Sequence, residues 1–225
     1  MMRRRMMASI GAKTWVNPYI TDGLIAMWDG EWNAGGGVHD TDSVMWKDLA
    51  GRNDIFLWNT ECQFYENFLK TTASQNCAVL RKINGDYIVT IEAVVRLYGN
   101  NGLVVAQFSR LDSGGKWLGF RADGSVNFSS SSSCAFVDSI TSIHSYSGVN
   151  AFGVFEDSRI RIDGELMITN GHGMSWGGND VTSINSIATK YSVTDIYCMR
   201  IYSRELSADE VAENYAIDKE RFGLP

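Results

Sequence analysis

Residues 194–222 read TDIYCMRIYSRELSADEVAENYAIDKERF, a strand that passes directly into a capped amphipathic helix. Up to Tyr202 the residues alternate with the strand period. Ile196, Cys198, Arg200 and Tyr202 share one face; Tyr197, Met199 and Ile201 share the other. Both faces are largely apolar, so the spacing predicts a strand buried between two layers. Ser207, Ala208, Asp209 and Glu210 then form a capping box, with Ser207 as N-cap and Glu210 reaching back to it. Leu206 and Val211 are placed to staple across the cap, and the two acids suit the positive end of the helix dipole. The helix is expected to pack through Val211, Tyr215 and Phe222.

Working outward from this run, the chain is a series of short strands. GLIAMWDG (23–30) leads into a glycine-rich loop, EWNAGGGVHDTDS. VMWKDLAGRNDIFLW follows, with Ala50–Asn53 as a turn and Ile55–Trp58 as a strand. The longest strand is YIVTIEAVVRL, Tyr87–Leu97, with Glu92 its one acid. Asp123-Gly124 and Asp163-Gly164 mark the tips of two hairpins. Regular short strands, no βαβ rhythm and one convincing helix predict an all-β fold: an antiparallel β-sandwich closed by a short C-terminal α-helix.

Four of these pieces, in this order, resemble laminin-G-like domains of the concanavalin A-like lectin/glucanase superfamily. The family's W-x-D-L-S-G-x-G-N-D turn is matched by Trp46, Asp48, Leu49, Gly51, Asn53 and Asp54. Its long strand is matched by Tyr87–Leu97, its D-G hairpin by Asp163-Gly164, and its closing R-I-Y-x-R-x-L-S signature by Arg200–Ser207. The resemblance covers residues 22 to 222 and implies a concanavalin A-like jelly roll. It also implies a type of domain encoded by gut bacteria and their phages, where such domains occur in virion appendages.

The 225 residues suit a basic N-terminal arm, 1–18, followed by one sandwich domain, 19–225. Apolar residues at 44% and aromatics at 12% are ample for a two-sheet core. A formal charge of −6 argues against nucleic acid as a partner. No apolar run is long enough to cross a bilayer, and the first residues lack the apolar stretch of a signal peptide. Cytoplasmic synthesis, with or without later incorporation in a virion, is the expectation. The four cysteines show no C-x-x-C pair, and free thiols are expected.

Chemistry was sought first in carboxylates. Jelly-roll glucanases carry E-x-D-x-E or E-x-D-x-x-E on one strand, because alternation puts every second side chain in the cleft. No such string occurs, so the chain is expected not to be an enzyme, with glycoside hydrolysis the least favoured alternative.

Two loops remain as ligand-site candidates. Glu31–Ser43 contains Trp32, His39, Asp40 and Asp42; Gly171–Asp180 contains His172, Trp176, Asn179 and Asp180. A tryptophan on a polar loop suits stacking on the apolar face of a sugar ring, while His and Asn take its hydroxyls. Asp40, Asp42 and Asp180 are candidate Ca²⁺ ligands, oxygen donors of the kind that ion requires. The alternative, in which Trp32 and Trp176 fold inwards as loop plugs, stays open. The leading reading is a non-enzymatic, lectin-like module that binds a glycan or polysaccharide. The second is a structural subunit of a phage virion or appendage, with virion or self-assembly partners.

Overall fold

The computed structural model describes residues 15–33, 37–38, 43–51, 53–57, 62–71, 78–80, 90–98, 103–108, 116–120, 126–128, 139–149, 155–170, 184–186 and 193–225. The first strands are β1 (Leu24–Asp29), β2 (Trp32–Asn33), β3 (Gly37–Val38), β4 (Met45–Trp46), β5 (Ile55–Leu57) and β6 (Cys62–Phe64). Next come β7 (Leu69–Thr71), β8 (Ala78–Leu80), β9 (Thr90–Tyr98), β10 (Leu103–Phe108), β11 (Lys116–Phe120) and β12 (Val126–Phe128). β13 (Ile140–Val149), β14 (Phe155–Ile162), β15 (Glu165–Asn170), β16 (Ile184–Ser186) and β17 (Val193–Tyr202) precede α1 (Ala208–Phe222).

Every pairing among the described strands is antiparallel. The main sheet has eight strands in the order β15-β14-β13-β9-β17-β7-β6, with β1 also on β17. β7 takes the Thr194–Ile196 half of β17 and β1 the Cys198–Tyr202 half, so two short strands share one long edge. The second layer comprises β12-β11-β10-β16 and β4-β5-β8, brought side by side where β16 runs next to β8. The fold is an all-β antiparallel sandwich with one C-terminal helix, as the strand pattern predicted.

The junction of β1 and β7 explains Gly30. Its amide donates to Tyr197 O at 2.7 Å. A Cβ there would lie 2.5 Å from Phe68 Cα and 2.6 Å from Asn67 O, both backbone atoms that have no room to give. Any side chain would force the two strand ends apart.

Trp46 is fully buried between Trp28 and Phe64, with ring centroids at 6.4 and 6.3 Å, and this joins β4 to the eight-stranded sheet. The W-x-D-L-x-G turn that carried the resemblance is a structural clamp. Asp48 accepts backbone N–H bonds from Met27 (2.8 Å) and Ala50 (2.8 Å) through one oxygen and from Asn53 (2.8 Å) through the other. Trp28 Nε1 donates to Asn53 O and Trp46 Nε1 to Asp29 O, which ties the turn to β1. Asp163 and Gly164 both have positive φ, 48° and 82°, the backbone that a tight two-residue hairpin requires.

One local expectation is corrected. Strict alternation along β17 breaks at a bulge, because Ile196 pairs with Val95 while Cys198 pairs with Val94. Tyr197 and Cys198 therefore both turn to the helix-bearing face, where Val94, Leu224, Phe68 and Phe222 pack on them. The helix packs through the three expected residues and through two more. Its capping box is present as read, and Tyr215 and Phe222 do pack on the sheet. The residues it buries, however, are Val211, Asn214 and Asp218. Two of these three are polar, and they define the first functional question.

Candidate functional site

Asn214 and Asp218 meet a row of side chains that the register aligns across four strands. Met27 lies opposite Arg200, Arg200 opposite Glu92, and Glu92 opposite His144. Directly opposed residues share a face, so this whole row points at α1. Arg200 donates to Asp218 through both terminal nitrogens (2.7 and 2.6 Å) and to Glu92 through Nε (2.9 Å). Glu92 also accepts from Asn214 Nδ2 (2.8 Å) and lies 3.0 Å from His144 Nδ1. Tyr19 OH donates to Asp218 (2.8 Å), the Arg200 guanidinium sits 3.9 Å over the Tyr19 ring, and Arg221 pairs with Asp29 at 2.8 Å.

Every member but Arg221 is buried. Burial opposes charge on Glu92, yet the Arg200 and His144 contacts hold its carboxyl below the ordinary carboxylate value. Burial likewise opposes charge on Arg200, and Asp218 and Glu92 more than offset it. Burial pushes the Tyr19 hydroxyl and the Cys198 thiol up, so both stay protonated. A tyrosine, three carboxylates and two arginines sit together here, but sealed beneath the helix. The assembly ties α1, the Tyr19 segment and the sheet together.

The same sheet face carries a second row, and this one is open. Gln63 of β6, Lys70 of β7, Asp195 of β17 and Arg96 of β9 stand directly opposite one another in sequence of strands. Gln63 is exposed; Lys70 and Arg96 are half-buried; Asp195 is buried. Asp195 accepts from Tyr98 OH at 2.6 Å through one oxygen, and the other lies 3.8 Å from Lys70 Nζ. Lys70 Nζ lies 5.1 Å from the Tyr98 ring centroid and 5.9 Å from that of Tyr65. The Arg96 guanidinium lies 5.0 Å over Tyr98. Tyr65 stacks on Phe68 at 4.9 Å and remains 43% exposed. Burial and then the Asp195 contact push the Tyr98 hydroxyl up to about 12, which keeps it a donor.

Of the residues singled out in the sequence, Trp32 is 8% exposed, with the Trp15 ring 5.7 Å away. It packs under the end of the N-terminal arm and presents no open face for stacking. The physical reason is the Asp29 carboxylate, which accepts the Glu31 and Trp32 amides and turns the chain inwards. His39, Asp40, Asp42, His172, Trp176, Asn179 and Asp180 lie outside the described residues. Among the described residues no three His, Cys, Asp or Glu side chains are grouped to hold a metal ion. Cys198 is a buried free thiol, and Cys62 is buried as well.

Sequence reasoning missed both rows. Glu92 stood out as the one acid of its strand, but its partners come from β17, β13 and α1. Arg96 was read as a strand residue, while Tyr98 fell just beyond the predicted end of that strand.

No family model matches the chain, and no curated protein matches it. Solved structures do share its fold. Trypanosoma rangeli sialidase in complex with sialic acid aligns at TM-score 0.62 and 14% identity, over 93% of this chain and 36% of that one. The same enzyme with 2,3-difluorosialic acid, a covalent intermediate, aligns at 0.61 and 13%, over 87% and 33%. The botulinum neurotoxin serotype D ligand binding domain in complex with N-acetylneuraminic acid aligns at 0.56 and 14%, over 87% and 51%. The chain thus spans a third to a half of the length of these structures.

These neighbours correct the expectation that the chain is not an enzyme. That expectation rested on a missing carboxylate pair, and sialidases, with a tyrosine nucleophile, do not depend on one. A fold shared with chains solved as sialidases, one caught as a covalent intermediate, removes that ground for excluding glycoside chemistry.

Proposed function

We propose that this chain is a carbohydrate-binding β-sandwich of the concanavalin A-like, laminin-G-like type, with residues 19–225 acting as one domain. The observation that carries the reading is a fold shared over about nine-tenths of the chain with two proteins solved holding sialic acid. The second support is chemical. The described surface includes aromatic rings interleaved with cations and a carboxylate, the mixture that grips a sugar's C–H face and its polar groups together.

The test is a glycan array probed with the whole chain, with calcium and again with chelator. Selective binding to a set of glycans is the expected result. Loss on chelation would add a calcium site, for which Asp40, Asp42 and Asp180 are the proposed ligands. Free sugar released from bound glycans would add turnover to binding. A blank array in both buffers, with stable self-assembly on dilution, would favour the structural-subunit reading instead.

A further inference from the structure

The open row does not behave as a self-contained ion row. Arg96 and Asp195 are directly opposed, close enough for a side-chain ion pair. Yet Asp195 gives one oxygen to Tyr98, its other lies nearest Lys70, and Arg96 Nε has no hydrogen-bond partner among the described residues. Two cations therefore face one buried carboxylate, of which one oxygen is bonded to Tyr98 and the other has no hydrogen-bond partner among the described residues. Among the described residues the surplus is positive at this spot, although the chain as a whole carries a formal −6. Both cations are held by rings: Lys70 between Tyr65 and Tyr98, Arg96 over Tyr98. Side chains already held in place lose less freedom on binding, which raises affinity for a group that fits.

We infer that this row binds a carboxylate-bearing sugar, with Arg96 and Lys70 holding the carboxylate while the exposed part of the Tyr65 ring takes the sugar's apolar side. Charge-assisted bonds from a guanidinium and an ammonium are the strong ones for a carboxylate, and a guanidinium presents them as a planar fork. The inference rests on the glycan-binding reading above and assigns it a ligand class and a place. Sialic and uronic acids share this chemistry.

The test is a titration of the whole chain with sialyllactose, with sialyllactose whose carboxyl group has been reduced to the alcohol, and with oligogalacturonate. The variants are R96Q, K70Q and, to add a third cation to the row, Q63R. K47Q, at the Lys47–Asp54 pair elsewhere, serves as control. R96Q and K70Q are each expected to weaken binding of the acidic sugar about tenfold or more, the worth of one charged hydrogen bond. Q63R should tighten it, K47Q should leave it unchanged, and thermal midpoints should stay level. The carboxyl-reduced sugar should bind the parent chain more weakly than the acid binds R96Q, because it loses both charged contacts. Which acid binds more tightly decides between the sialic and uronic sources. Binding of acidic and reduced sugars alike, untouched by R96Q and K70Q, would overturn the site and leave the glycan reading standing. No binding of any glycan, acidic or neutral, would overturn both.

Discussion

Arg96 and Arg200 stand on the same face of one sheet, on neighbouring strands, with one covered by the helix and the other open. Arg200 is level with Glu92 and Arg96 with Asp195, so the two rows are four residues of β9 apart, about 13 Å. Between them Phe222 and Leu224 pack on Val94, where the helix ends. Beneath α1 a charge without partners would be prohibitive, so Arg200 is matched by two carboxylates. Beyond the helix Arg96 is half-buried, and its Nε lies out of solvent without a hydrogen-bond partner among the described residues. The position of one helix end therefore separates a fastening row from a binding row.

Breaking the covered row should be costly. Arg200→Met leaves Asp218 and Glu92 buried without their cation, and a loss of about 3–5 kcal/mol is expected. Denaturant unfolding followed by far-ultraviolet and tryptophan signals measures it. Replacing Asp218 by Leu in the same chain should restore part of the loss, because the second stranded charge is gone. A double variant no more stable than R200M would argue against the coupling.

Acid should loosen the helix first. Glu210 is held down to about 2, chiefly by its hydrogen bond from Arg204 and then by the Ser207 amide. Its carboxyl is more acidic folded than unfolded. The stabilisation it contributes is therefore complete above its ordinary value of 4.5 and lost as pH falls from there towards about 2. Glu92 is shifted in the same direction and adds to the trend. Stability measured from pH 6 to pH 2 should drop below about 4.5, with a shallower drop in E210Q. Equal slopes in E210Q and the parent would contradict this.

Gly30→Ala is expected to destabilise by about 1–3 kcal/mol, the usual range for overpacking a filled site. Its added methyl would press on the Phe68 backbone at 2.5 Å. Gly51 makes the contrast, since a Cβ there meets nothing within 4 Å; there only its φ of 118° opposes a side chain. Melting curves for G30A that match the parent would show that β1 and β7 are not so tightly joined.

Asp48→Ala should act on the fold and not on ligand binding. It strands the amides of Met27, Ala50 and Asn53, and a loss on the order of 3 kcal/mol follows from leaving such groups unpaired. Hydrogen exchange at those three amides should accelerate ahead of the rest of the sheet. Asp48→Asn, which keeps one accepting oxygen, should lose less.

What the sequence showed well was local. The Ser207–Glu210 capping box and the Asp163-Gly164 hairpin depend on neighbours a few residues away, and each stands as read. The bulge at Tyr197 was invisible because strand periodicity assumes an unbroken pleat. Asn214 and Asp218 were passed over because a helix stripe is sought among apolar residues, whereas their partners lie on strands far along the chain. The open row was hidden for the same reason. Lys70, Asp195 and Arg96 become neighbours only through the register of three strands. Trp32 was legible as an aromatic on a polar loop, but not as a ring covered by Trp15.

The most direct test of the account is to map the contact surface by amide chemical-shift changes on adding the methyl glycoside of N-acetylneuraminic acid. The shifts are expected to cluster on Lys70, Arg96, Tyr98 and Asp195, with the Arg200 level beneath the helix unmoved. Shifts confined to the Gly171–Asp180 loop, with the open row silent, would contradict it.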